Sequence, residues 1–396
     1  MALRQGILMF QRLTALPLWQ VGFRPFFALA CLSGLSLPLI WVALYAGWIS
    51  APMQRFSPMQ WHAHEMFFGF GWAVIGGFLL TATRNWVQIR GFHGPALVFL
   101  VAAWLFERFG MWCEAWLPTP VFLVSKNLFL ASIVAMLVWT LVRHRRTDSY
   151  RDNYFFLIVL PIFLVAKNLM LMPEYFAIGV SMAIGLFRVA FLVMLERTLT
   201  QFMKSVFQVE ILRNPYLDKA IKLLGVLMIF EHWLPPTAAA AVALLLVVLL
   251  ASRFVFWKPQ LAMRRLDIGI MYLGYLAIVA QLVALGIRDL LPTVPVGGIV
   301  THLFTFGVMG LIIPAMLIRI SKGHTGRKVS FDRGDKLVLW VMMAAFVARL
   351  ILPRFVPGYY PEWLMVAATC WFLCFATLGW RYIPYLMQSR VDGKSN

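Results

Sequence analysis

Residues 61–66 read Trp61-His62-Ala63-His64-Glu65-Met66, two imidazoles and a carboxylate within six positions. A third imidazole, His302, opens another apolar stretch, and ionisable side chains recur inside such stretches at Glu107, Arg108, Lys126, Lys167 and Arg349. Charge within an apolar run is costly, so each of these is a functional candidate by default. Imidazole is a ligand of iron, copper and zinc, which makes His62, His64 and His302 candidate metal ligands. Haem in a helical bundle needs axial histidine and cationic groups for its propionates, and Arg108, Lys126, Lys167 and Arg349 carry the charge for the second task. Spacing restricts the first. His62 and His64 are two residues apart, so on a regular helix they point roughly opposite ways. They serve either two sites, or one as ligand and the other as its support. Glu65 is placed to orient a ligating imidazole. Glu65 and Glu107 are the candidate proton relays, and no other catalytic role is legible.

Each candidate also has a plainer reading. A histidine at a helix end often sits at the membrane interface, as His93, His144 and His232 are expected to do. Lys126 and Lys167 lie near the ends of their runs, where lysine snorkels outward, and Glu107-Arg108 can be an internal ion pair. Gly69, Gly71, Gly76 and Gly77 make one helix face small. That suits close helix packing, or leaves room for a flat macrocycle. Cys370 and Cys374 are four apart on one face, a spacing that grips copper(I) or simply buries two thiols.

The elements that must position these groups follow from composition. Of 396 residues, 62% are hydrophobic and 13% charged, against about half and about a quarter in a soluble domain. The expected fold is all-α, a polytopic integral membrane protein in a lipid bilayer, because helices satisfy their own backbone in hydrocarbon. Apolar runs fall at about 26–49, 60–83, 95–112, 120–142, 154–172, 175–195, 219–234, 237–257, 267–289, 297–319, 336–352 and 362–386. These predict about 12 transmembrane helices in a single transmembrane domain over 1–396. The net charge of +19 does not indicate nucleic acid here, because the basic residues lie between apolar runs on alternate sides. Arg12 and Arg24, the loop with Arg84 and Arg90, the loop with Arg143, Arg145 and Arg146, and segments 197–222, 253–265 and 319–336 are basic. Basic loops face the cytoplasm, so both termini are expected there, and the even helix count agrees. The basic, amphipathic stretch near 197–218 is expected to lie on the inner surface. In this topology His62, His64, His302, Lys126, Lys167 and Arg349 all fall in the outer half of the membrane.

The same residues carry a family likeness. Phe23-Arg24-Pro25-Phe26-Phe27, the Trp61–Met66 segment with Gly69-Phe70 and Gly77-Phe78-Leu79-Leu80-Thr81-Ala82, and the stretch from His302 through Thr305, Gly307 and Gly310 to Gly323-His324-Thr325-Gly326-Arg327 resemble the NnrS family. The resemblance implies a multi-pass protein of the bacterial inner (cytoplasmic) membrane that binds haem b and copper and takes part in nitric oxide metabolism, denitrification or nitrosative stress defence. It carries functional roles to Arg24, His62, His64, Glu65, His302, His324 and Arg327. A family His-x-Gly-Tyr segment reads Tyr272-Leu273-Gly274-Tyr275 here. The resulting expectation is a nitric-oxide-handling oxidoreductase that binds nitric oxide at a buried metal site, with quinol or another electron donor as partner. The alternative is a transporter for a metal, a metal complex or haem. A third is a structural partner in assembly of a reductase. His324 follows His302 by about 22 residues, or about 33 Å of helix, so it belongs to a second, inner metal site or to a structural turn.

Overall fold

The computed structural model describes residues 2–394, and no strand occurs among them. An amphipathic helix α1 (Ala2–Thr14) precedes the apolar elements. These are α2 (Phe23–Tyr45), α3 (Pro58–Trp86), α4 (Pro95–Trp112), α5 (Thr119–Arg143), α6 (Tyr154–Met170) and α7 (Pro173–Phe207). There follow α8 (Pro215–Leu227), α9 (Pro236–Phe256), α10 (Leu266–Leu290), α11 (Ile299–His324), α12 (Arg333–Phe355) and α13 (Pro357–Met387). Each apolar run of the sequence thus lies on one of α2–α13. Ten of these helices are long and apolar enough to cross a membrane, while α6 and α8 are shorter. The chain is an all-α, polytopic membrane protein.

Helix starts follow local chemistry. Pro58, Pro95, Pro215 and Pro236 are first residues of their helices, where a missing N–H costs nothing and the fixed φ suits the helix. Ser57 caps α3 reciprocally with Gln60, and Asp332 caps α12 with Asp335, each pair satisfying two orphan amides. The main departure from the sequence reading is α7, which runs on to Phe207 instead of ending near 195. Leu195, Leu199 and Met203 are fully buried, so an apolar stripe at i, i+4 and i+8 carries the helix through the basic segment.

Three helices are locally widened to π geometry: α3 over Glu65–Gly71, α11 over Leu303–Gly310 and α12 over Val347–Ile351. Such stretches concentrate at functional sites, and the first two begin directly after His64 and His302.

The chain divides into two compact units. The first comprises Met1–Phe176, Leu317–Ser330 and Phe375–Asn396, and the second Ala177–Met316 and Phe331–Cys374. Within the first, the glycine face of α3 is used for packing. A Cβ at Gly77 would stand 2.8 Å from the Cβ of Phe26 on α2, and one at Gly76 would stand 2.8 Å from Ile133 on α5. The room for a macrocycle on this face is therefore filled by neighbouring side chains, as membrane helices without a hydrophobic drive toward each other require. Also in this unit, buried Arg24 donates to the carbonyls of Leu386 (2.9 Å) and Gln388 (2.5 Å) at the end of α13.

In the second unit Gly185 on α7 meets backbone: its Cβ would lie 2.9 Å from the Cα of Ile229. Backbone cannot rotate aside, so Gly185→Ala is expected to lower stability by about 1–3 kcal/mol. Gly358→Ala, with nothing within 4 Å, should be neutral. Thermal unfolding of the detergent-purified variants, read by loss of the monodisperse peak, checks the pair; equal melting would refute the packing account.

Candidate functional site

The first unit holds a buried ionic cluster at the opening of α3. His62 and His64 do face opposite ways. The His62 ring stacks on Trp41 of α2, with centroids 4.3 Å apart and planes 15° apart. His64 is fully buried and turns toward carboxylates. Its Nδ1 is 3.1 Å from Glu65 Oε1 and its Nε2 is 3.3 Å from Glu107 Oε1 on α4. Arg108 closes the cluster, with Nε 2.9 Å from Glu65 Oε2 and Nη2 3.2 Å from Glu107 Oε1. Lys167 of α6, also fully buried, pairs with Glu107. Gly69 makes room for the guanidinium: a Cβ there would be 2.8 Å from Arg108 Nη1. The Gly69 carbonyl, in the π stretch, accepts from the Trp104 indole N–H at 3.1 Å.

Glu65 and Glu107 balance Arg108 and Lys167, so the cluster is neutral when His64 is neutral. Both His64 nitrogens face carboxylate oxygens, and only the doubly protonated ring donates on both sides. The arrangement therefore offers a proton several alternative positions within hydrogen-bond reach, which suits a relay. It does not offer His64 to a metal, because both ring nitrogens are committed.

In the second unit His302 forms a different site. Its Nε2 accepts from Arg349 Nη2 at 2.7 Å, and its Nδ1 is 3.2 Å from Thr305 Oγ1. Arginine can only donate, so the proton of this imidazole sits on Nδ1 and is given to Thr305. A cavity of about 250 Å³ lies here, lined by Gly298, Ile299, His302, Arg349, Leu350, Pro353, Arg354 and Tyr360.

The other candidates are dispersed. Lys126 is half-buried, with its ammonium 5.7 Å from the Phe122 ring. His324 packs its ring on Phe23, with centroids 5.4 Å apart, and its carbonyl accepts from Arg390. Arg327 lies over Tyr385 at 3.9 Å and donates to Gln388. The Gly323–Arg327 segment thus works with Arg24 to hold the C-terminal segment. Beyond the last helix Arg390 hydrogen-bonds Asp392 and holds its carboxyl down at about 2. Cys374 is buried and Cys370 half-buried. Among the described residues no group of three or more His, Cys, Asp or Glu side chains is arranged to hold a metal ion.

Sequence reasoning missed the polar pairing inside the second unit. Arg188, buried mid-helix on α7, donates to Gln281 Oε1 on α10 at 2.8 Å. Glu231 accepts from Ser181 and pairs with Arg288 at 3.4 Å. Arg253 donates to the Tyr275 hydroxyl at 3.2 Å, which donates to the Leu250 carbonyl. The available signal was the same one used elsewhere, an arginine within an apolar run. Tyr272, where the family segment has histidine, donates to the Trp257 carbonyl at 2.7 Å and so braces α10.

Breaking a buried ion pair from one side strands the other charge, at a cost of about 3–5 kcal/mol. Glu107→Gln and Lys167→Met are each expected to lose that much, and the double variant to recover most of it. A double-mutant cycle from unfolding in detergent measures this; additive losses would show that the two side chains do not depend on each other.

No curated protein matches the chain. The family model described as NnrS protein matches residues 17–390, nearly the whole length and including both histidine sites. The match and the membrane-helical fold together fit a membrane protein of nitric-oxide-related function, and the chain belongs to the NnrS family.

Proposed function

We propose that this protein is a haem-binding protein of the bacterial inner membrane that handles nitric oxide at a site beside the start of α3. The observation that carries the reading is the division of labour between two adjacent histidines. His62 lies against the flat Trp41 ring, and His64 is wired into a cluster of two carboxylates and two cations. An imidazole set on an aromatic face fits an axial ligand; the His64 nitrogens face two carboxylates, and those of His302 face Arg349 and Thr305. His62, with its ring plane fixed by Trp41, is the histidine that would hold the haem. When bound, ferrous haem supplies an iron that takes nitric oxide.

The chain's own residues do the rest. Trp41 fixes the plane of the His62 ring. Apolar side chains around α2 and α3 exclude water, yet they admit nitric oxide, which is small, apolar and membrane-soluble. The His64–Glu65–Glu107 contacts hold protons two residues along the helix from His62. Lys167 and Arg108 keep both carboxylates compensated inside a low-dielectric bundle. Reduction of nitric oxide consumes protons and electrons; the cluster answers the first need, and a quinol arriving through the bilayer answers the second.

Absorption spectra of the detergent-purified protein, oxidised, dithionite-reduced and then exposed to nitric oxide, test the proposal. A b-type spectrum that shifts with nitric oxide is expected. It should be lost in His62→Ala and kept in His302→Ala and His64→Gln. A colourless but monodisperse wild type would sink the haem reading, and an intact spectrum in His62→Ala would sink the assignment of the ligand.

A further inference from the structure

The two histidine sites are variations on one local pattern. His64 is followed by Phe68-Gly69 and His302 by Phe306-Gly307, at identical spacing. In each case the histidine directly precedes a π-helical stretch. Each ring packs near the phenylalanine one turn on, with centroids 5.6 Å and 6.0 Å apart. Each site takes an arginine from the next helix, Arg108 of α4 in the first and Arg349 of α12 in the second.

What surrounds the arginine differs. In the first site the residue after the histidine is Glu65 and the residue before the arginine is Glu107, and both pair with Arg108. In the second site the same two places hold Leu303 and Ala348. The internal counter-charges are gone, and a cavity of about 250 Å³ stands beside the arginine. It is lined by a second arginine, Arg354, and by Tyr360, and none of its lining residues is acidic. Arg349 is half-buried and Arg354 exposed, and two guanidiniums lining one partly enclosed cavity concentrate positive charge that an anion would neutralise. The guanidinium fork matches oxyanions, to which it donates in pairs. The volume suits a small ion or a head group, being below the roughly 300 to 1,000 Å³ of cavities for drug-sized molecules.

We propose that the cavity between the start of α11 and the end of α12 is a binding site for a small oxyanion. Arg349 and Arg354 carry the charge, and the Tyr360 ring lies 5.3 Å from the Arg349 guanidinium. His302 is a positioning residue: by accepting from Arg349 Nη2 while donating to Thr305, it sets the direction of the guanidinium and leaves the other N–H groups for the ligand. Gly298 borders the same space, because a Cβ there would lie 3.5 Å from the His302 ring and 3.8 Å from its Nε2. A longer side chain at 298 would fill the cavity without changing any charge.

The oxyanion has two sources, a free ion or the phosphate of an anionic lipid, and the experiment separates them. The full-length protein in phosphatidylcholine nanodiscs is titrated with nitrate and with sulfate by calorimetry. Thermal unfolding is measured in parallel in discs with and without phosphatidylglycerol. The expected result is saturable binding of one ion per chain, weakened at least tenfold in Arg349→Gln, in Arg354→Gln and in Gly298→Leu. Stabilisation by phosphatidylglycerol alone, abolished in Arg349→Gln, would identify the oxyanion as a lipid phosphate at the same site. Absence of both effects in the wild type would overturn the proposal, as would binding undiminished in both arginine variants. None of these readouts depends on haem, so the outcome is independent of the spectra.

Discussion

A charged side chain inside this protein has to meet an opposing charge or a directed hydrogen-bond partner, because hydrocarbon supplies neither. Glu107 is where that constraint is met most densely. A histidine, an arginine and a lysine from three helices converge on one of its oxygens. Removing the charge from α4 would leave Lys167 and Arg108 in a setting built around it. The packing of α3, α4 and α6 is thereby tied to one electrostatic arrangement, which turns His64 toward carboxylates and away from Trp41.

Backbone geometry does the positioning. The π stretch after His64 widens α3 where Gly69 must clear Arg108 and where its carbonyl must reach the Trp104 indole. The stretch in α11 stands in the same relation to His302 and Phe306. In both places the helix gives up regular hydrogen bonding at the point where a polar side chain enters an apolar bundle. The small residues that follow allow neighbouring helices to approach closely enough to restore packing.

The sequence made legible whatever depends on one helix. The twelve apolar runs each fall on a helix among the described residues, ten of them long and apolar enough to cross a membrane, and the two-residue spacing of His62 and His64 dictates opposite faces. The glycine face of α3 reads as a packing surface and is one. Less was legible where the partner comes from far along the chain. Glu107 and Lys167 meet across two helices, and His302 meets Arg349 from the next one, so neither pair has a local signature. Lys126 was indistinguishable from Lys167 by spacing, yet it rests near an aromatic ring and not in the cluster. The end of α7 was misread because its basic residues suggest a surface segment, while Leu195, Leu199 and Met203 are buried beneath them. Local widening of a helix leaves no compositional trace, and all three π stretches were invisible.

The bonds from Arg24 to the carbonyls of Leu386 and Gln388 span nearly the whole chain. During synthesis α2 emerges early, and these two bonds cannot form until residue 388 has left the ribosome. A guanidinium near one end of the first apolar helix must therefore stay solvated or paired elsewhere for the duration of translation. This favours insertion in which the start of α2 remains at the lipid headgroups and sinks into the bundle only at the end. An early-made helix would then be among the last to settle, and truncating the segment around Leu386 and Gln388 would leave the start of α2 without its partners.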